Sequence, residues 1–271
     1  MFQQVIVPVD FSSVSVNAVH YAARMLAAHG GKLRLMHAVN TAIPDPYVPA
    51  YYTMDAAKEQ SASSSAELET LARSIRADYG IQVEAEVIIG DLSGSLSDQI
   101  QKHRAELVVM GTHGAENWLD RMAGTNTEAM VNHLDCPLLV IPDGVVWKPW
   151  KNITCATDYS GAEESIAESL MAYTMTEQPQ MLFIHVSRPG EKVSAFNKEL
   201  LQQYINRNLN LELQECGGDS ITATVLETAN TRKSDLLVVQ AMHRDWPDRF
   251  LHRSVVKQLA AHPTLPLLII H

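Results

Sequence analysis

The chain has 271 residues, of which 46% are hydrophobic and 19% charged, enough apolar material for two domains of ordinary size or one large one and a composition that argues against disorder. Its formal net charge of −10 opposes nonspecific binding to nucleic acid, whose affinity comes largely from Lys and Arg neutralising phosphates. No apolar run has the length of a membrane span, and Met1-Phe2-Gln3-Gln4 lacks the start of a secretory signal, so the expectation is a cytoplasmic chain with neither nucleic acid nor membrane as partner. The three cysteines, Cys136, Cys155 and Cys216, are too few and too scattered for a disulfide framework or a tetrahedral metal site, and read as ordinary buried or half-buried thiols.

In chain order, strands are predicted near 4–10, 33–39, 82–89, 106–110 and 137–141, separated by helical stretches. Residues 13–29 place Val16, Val19, Ala22, Ala23 and Leu26 on one face and stop at Gly30-Gly31. The stretch from Asn40 to Gln60, with Pro44, Pro46, Pro49 and the cluster Tyr47, Tyr51, Tyr52, reads as beginning in an irregular loop, and residues 57–79 as a helix ending at Gly80. That tyrosine loop follows a strand and is a candidate lid. Alternation of strand and helix implies βαβ units and a parallel sheet with right-handed crossovers.

The chain then starts again. Val5-Ile6-Val7-Pro8-Val9-Asp10-Phe11-Ser12 is matched 148 positions later by Ile153-Thr154-Cys155-Ala156-Thr157-Asp158-Tyr159-Ser160, and Met36-His37-Ala38 by Ile184-His185-Val186. Cys136-Pro137-Leu138-Leu139-Val140-Ile141 is matched 129 positions later by Leu265-Pro266-Leu267-Leu268-Ile269-Ile270. Repetition in order argues for tandem duplication, with about 19 extra residues between the second and fourth strands of the first copy. The predicted fold is α/β, two tandem doubly wound Rossmann-like domains, each with a mostly parallel five-stranded sheet. Their bounds are 1–143 and 149–271, joined by a short linker from Pro142-Asp143-Gly144 to Pro149.

After the apolar run ending at Met110 come Gly111, His113 and Gly114, then nine residues, then Gly124-Thr125-Asn126-Thr127. Any one of these glycines taken alone reads as a turn residue rather than a ligand contact. Together, directly after a strand, they read as a turn that brings backbone N–H groups close to an anion and a helix start that meets phosphate. If the first strand lies beside the fourth, Asp10 faces the same crevice and supplies an acceptor suited to a base or ribose. His37 and His185, near strand ends, read as structural residues satisfied by backbone partners.

The Gly111 to Thr127 pattern resembles the ATP-binding motif of the universal stress protein family, and Val7-Pro8-Val9-Asp10-Phe11-Ser12, Met36-His37-Ala38 and His133-Leu134-Asp135-Cys136-Pro137 resemble that family as well. The likeness covers residues 1–142 and extends more weakly to the end, as in tandem members. It implies that Pro8, Val9, Asp10 and Ala38 line the adenine, that Met110, Gly111, His113 and Gly114 surround ribose and phosphates, and that Gly124, Thr125, Asn126 and Thr127 hold the phosphate chain. Ala38 is smaller than the family's usual Val, and Asn126 stands at a usually aliphatic or Thr position. The implied ligand is an adenine nucleotide, ATP ahead of ADP or AMP, with Mg a candidate companion of ATP. The resemblance also implies pairing through the last strand, hence an internal pseudo-dimer of the two domains, with a further homodimer left open.

The second copy departs from the motif: Gln240 stands at the position of Gly111, His243 at Gly114, Arg253 at Gly124 and Val256 at Thr127, while Asp158, His185 and Ser254 are kept. A β-carbon at all three glycine positions crowds the phosphate path, so one nucleotide site per chain is expected, in the first half. The basic cluster His243, Arg244, Arg249, His252, Arg253 and Lys257 reads as solvated surface or as an anion site. No Gly-Lys-Ser/Thr phosphate loop and no carboxylate placed to activate water are present, so the expectation is a nucleotide-responsive binding or regulatory module with at most slow hydrolysis and no catalytic residues. A nucleotide-dependent transferase and a nucleotide-free scaffold are the alternatives.

Overall fold

The computed structural model describes residues 2–39, 50–112, 134, 136–159, 161–174, 179–187, 195–208, 210–240, 255–256, 258–260 and 263–270, with backbone alone at 50–57 and 93. The chain divides into two compact units, Phe2–Trp147 and Lys148–His271.

The first unit runs β1(Gln4–Pro8), α1(Ser13–His29), β2(Lys32–Val39), α2(Ala50–Tyr79), β3(Gln82–Ile89), α3(Leu92–His103), β4(Leu107–Gly111) and β5(Leu138–Ile141). Its strands lie in the order β3-β2-β1-β4-β5, every neighbouring pair parallel. Strands covered on both faces need apolar side chains at successive positions, which is why β4 and β5 are buried along their whole length. Helix α1 buries Val14, Ala18, Val19, Ala22, Met25 and Leu26. It stops where Gly30 turns to φ 84° and its N–H returns to Leu26 O at 2.6 Å, a backbone state that glycine adopts without strain.

Helix α2 begins at Ala50, seven residues before the predicted start at 57. Pro49 directly precedes it. A proline has no N–H to lose at a helix start and its ring presets a helical φ, so the last of the three prolines admits a helix where the sequence reading extended a loop. The remainder of the predicted loop, 40–49, lies outside the described residues.

The second unit repeats the plan with β6(Asn152–Ala156), α4(Glu163–Thr174), β7(Gln180–Ser187), α5(Ala195–Asn206), β8(Leu211–Gly217), α6(Ile221–Thr231), β9(Leu236–Gln240) and β10(Leu267–Ile270). Its strand order is β8-β7-β6-β9-β10, again parallel throughout. The extra length of the first copy sits mainly in one helix: α2 has 30 residues and its counterpart α5 has 12. The fold is α/β, two tandem doubly wound Rossmann-like domains with five parallel strands each.

Duplication extends to single hydrogen bonds. Glu106, just before β4, accepts from Gln3 N at 2.5 Å and donates its own N–H to Gln4 O at 2.9 Å. Asp235, just before β9, accepts from Lys151 N at 2.9 Å and Asn152 N at 3.0 Å and donates to Asn152 O at 2.7 Å. One carboxylate thus ties the entry of the first strand to that of the fourth in each copy. Cys136 and Cys155 are buried and Cys216 is half-buried, all unbridged, and burial pushes the Cys155 thiol far above its ordinary range, which keeps it from acting as a nucleophile. Among the described residues no helix is long and apolar enough to cross a membrane.

Candidate functional site

Strand order reverses at β1: the chain moves outward through β2 and β3, then returns to β4 on the other side of β1. In open α/β sheets such a reversal leaves a crevice at the carboxyl ends of the strands. Pro8 is the last residue of β1 and Gly111 the last of β4, and these two strands are direct neighbours. Val9 and Asp10 follow Pro8, Ala38 is the penultimate residue of the neighbouring β2, and Met110 precedes Gly111. Six of the predicted site residues, Pro8, Val9, Asp10, Ala38, Met110 and Gly111, therefore gather at one end of the first sheet. The other six, His113, Gly114, Gly124, Thr125, Asn126 and Thr127, lie outside the described residues, as do Tyr47 of the candidate lid and the basic cluster of the second half.

The turn after β1 is built by its own polar side chains. Phe11 takes φ 64°, a left-handed conformation rare outside glycine, and the chain enters α1 at Ser12. Ser12 Oγ accepts from Ser15 N at 3.2 Å as the helix N-cap and donates to Asp10 Oδ1 at 2.6 Å, while Ser12 N donates to the same oxygen at 3.0 Å. Partial burial alone would raise the Asp10 carboxyl. The hydrogen bonds from Ser12 and Ser15 and from the backbone outweigh it and hold the group below the usual carboxylate value. Both Ser12 bonds fall on Oδ1, so the exposed Asp10 presents an ionised acceptor at the rim of the crevice.

Behind this turn, His37 fixes the junction of β1 and β2. Val9 N donates to Met36 O at 2.8 Å, and His37 Nδ1 lies 2.6 Å from Val9 O. A carbonyl oxygen only accepts, so Nδ1 carries the proton. The imidazole also packs on Phe11, with ring centroids 4.7 Å apart, and this contact helps hold the left-handed turn. In the second unit the same parts recur. Thr157 N donates to Ile184 O at 2.9 Å, His185 Nδ1 donates to Thr157 O at 3.0 Å, Tyr159 takes φ 58° and its ring stands 4.6 Å from that of His185. Both histidines hold the turn through a backbone partner, in agreement with the structural role expected of them.

Gly111 has a second reason to be a glycine. A β-carbon there would stand 2.6 Å from Val14 O, inside contact distance, because the first turn of α1 packs against the end of β4. The sequence could not show this partner, since only the tertiary approach of α1 creates it. Sequence reasoning also missed Ser15, which accepts from Asp10 N at 3.3 Å and donates to Ser12 O at 3.1 Å. Its signal was present in the repeat: the matching residue, Glu163, is a carboxylate.

A family model described as the universal stress protein family matches residues 1–142. A universal stress protein of Methanocaldococcus jannaschii is 21% identical over 141 residues, covering 52% of this chain and 82% of the relative. One of Synechocystis is 27% identical over 142 residues, covering 52% of this chain and 87% of the relative. Over nearly the whole chain, the crystal structure of a universal stress protein from Archaeoglobus fulgidus superposes with a TM-score of 0.71 at 15% identity, covering 98% of this chain and 95% of that one. At that identity the superposition speaks for the fold of both halves.

Proposed function

Because the chain belongs to the universal stress protein family, we propose that its first half binds an adenine nucleotide, ATP ahead of ADP or AMP, and that the protein acts as a nucleotide-responsive binding or regulatory module in a stress response. The observation that carries this reading is Asp10: an ionised acceptor held by Ser12 at the carboxyl end of β1, across from Gly111 at the end of β4. The residues present suit such a ligand. Buried Val9 and Met110, with Pro8 and the half-buried Ala38, offer apolar surface to a flat base, and Asp10 offers an acceptor to a ribose hydroxyl or a ring amine. Gly124, Thr125, Asn126 and Thr127, with His113 and Gly114, would take the phosphates by the family pattern, and Mg would accompany ATP there.

The nucleotide serves as a bound signal rather than a consumed substrate. The chain has no Gly-Lys-Ser/Thr loop to cradle phosphates with a lysine, and the one ionised side chain at the described end of the site, Asp10, is engaged by Ser12. Thermal-shift measurements with ATP, ADP and AMP on the wild-type protein and on Asp10→Ala test the reading. The expected result is stabilisation of the wild type by at least one of the three, reduced about tenfold in apparent affinity by the substitution. No shift with any nucleotide contradicts nucleotide binding, and turnover of about one ATP per second or faster contradicts the binding-module role.

A further inference from the structure

Helix α5 of the second half is apolar on more than its inner face. Leu201 and Ile205 turn into the unit and are buried. Phe196, Leu200 and Tyr204 follow one another at every fourth position, a spacing that lines side chains up along a helix. Phe196 is 69% exposed and Leu200 47% exposed, and the stripe continues into the half-buried Tyr204. A single exposed apolar residue is ordinary on a protein surface, whereas a phenyl ring and an isobutyl group one helical turn apart form a patch. Neither exposed side chain serves the core, so packing within the unit does not account for them.

Carboxylates stand on both flanks of this stripe. Helix α4 packs on α5 and carries the exposed Glu164 and Glu168 one turn apart. Burial, and then the charges of Glu168 and Glu164, push the Tyr204 phenol above its ordinary value, which places both carboxylates beside the last member of the stripe. On the other flank stands the exposed Glu199, which accepts from Gln203 Nε2 at 3.4 Å. Of the described cations on or next to α5, Lys198 is held by Glu215 at 2.6 Å and Arg207 follows the end of the helix. These flanks decide what can cover the stripe. A second copy meeting it about a two-fold axis would set acidic flank against acidic flank, on a chain of net charge −10, and an anionic lipid surface would meet the same repulsion. A helix with its own apolar stripe and Lys or Arg on either side matches Phe196 and Leu200 with apolar surface and the carboxylates with cations.

We propose that the face of α5 bearing Phe196 and Leu200, with Glu164 and Glu168 of α4 beside it, is a docking surface for a basic amphipathic helix of a partner protein. The surface stands on the second half's own residues and does not depend on nucleotide binding by the first. The probe is a fluorescently labelled synthetic helix of about 18 residues, with Leu along one face and Lys on the rest, and its counterpart carries Glu in place of Lys. Anisotropy titrations use the full chain. The Lys peptide is expected to bind the wild type, and Phe196→Ser with Leu200→Ser to weaken it about tenfold or more. Both side chains are exposed, so the unfolding midpoint of that variant is expected to match the wild type's. Glu164→Gln with Glu168→Gln, which keeps the shape and the stripe, is expected to weaken the Lys peptide about fivefold and to flatten its salt dependence. The Glu peptide is expected not to bind. The proposal is overturned if the Lys peptide fails to bind, if either double variant binds it as tightly as the wild type does, or if the Glu peptide binds as well. It is also overturned if the wild type sediments as a dimer that Phe196→Ser with Leu200→Ser disperses, since a second copy then covers the stripe. Cosedimentation with phosphatidylcholine vesicles that the same variant abolishes would give the face to a membrane and overturn it as well.

Discussion

A β-carbon on Gly111 would stand 2.6 Å from the carbonyl oxygen of Val14 and 2.7 Å from its Cγ1. Backbone cannot yield as a flexible side chain does, so this glycine supports the fold whether or not a ligand is bound. Gly111→Ala is expected to lower stability by about 1–3 kcal/mol through overpacking, seen as a lower midpoint in thermal or urea unfolding of the ligand-free protein. An unchanged midpoint would show that α1 does not press on the end of β4.

Ser12 links the helix to the site. It caps α1 and donates twice to Asp10. Ser12→Ala is expected to cost about 1 kcal/mol of stability and to raise the Asp10 pKa toward the ordinary carboxylate value, followed by ¹³C NMR titration of the carboxyl carbon. The sign follows from the depressed value. Asp10 stabilises the wild type above the ordinary carboxylate pKa and loses that contribution as pH falls through its lowered folded value, so the variant should lose less stability on acidification. A pKa that does not move would contradict the hydrogen-bond account.

Asp235 carries the matching argument in the second half. Burial pushes its pKa up, but Lys148 at 2.6 Å and the N–H groups of Asn152 and Lys151 outweigh that and hold it below the usual carboxylate value. Its contribution is present above about pH 4 and is lost as pH falls through the lowered folded value. Asp235→Asn should destabilise the protein by about 1–3 kcal/mol at neutral pH and flatten the acid limb of its stability curve. An acid limb identical to the wild type's would rule out this residue as its source.

Tyr159 fills the place that Phe11 holds in the first half, and its hydroxyl donates to Glu215 at 2.6 Å. Tyr159→Phe keeps the ring against His185 and removes one hydrogen bond. The expected cost is about 0.5–1.5 kcal/mol, measured by urea unfolding. A loss several times larger would mean that the hydroxyl, rather than the ring, holds the left-handed turn.

Much of the fold was legible because its signals are local. Apolar runs at Val5-Ile6-Val7 and Leu107-Val108-Val109 mark strands buried on both faces, Gly30 marks the end of α1, and the repeated Asp-aromatic-Ser turn marks both starts. The start of α2 was misplaced because prolines mark a helix start as readily as a loop, and nothing in the side chains after Pro49 separates the two. The gathering of Asp10 and Gly111 at one sheet end could be anticipated from βαβ topology, which is a rule about connections. The backbone-held structural role of His37 was legible, but which carbonyl it meets, Val9 O, and the Gly111–Val14 approach were not, since each depends on the distance between elements remote in sequence.

The most direct test is the stoichiometry of nucleotide binding, by calorimetric titration of the full chain with ATP. One site per chain, abolished or weakened about tenfold by Asp10→Ala and unchanged by Asp158→Asn, is the predicted result. Two equivalent sites per chain, or a single site that responds to Asp158→Asn and ignores Asp10→Ala, would contradict it.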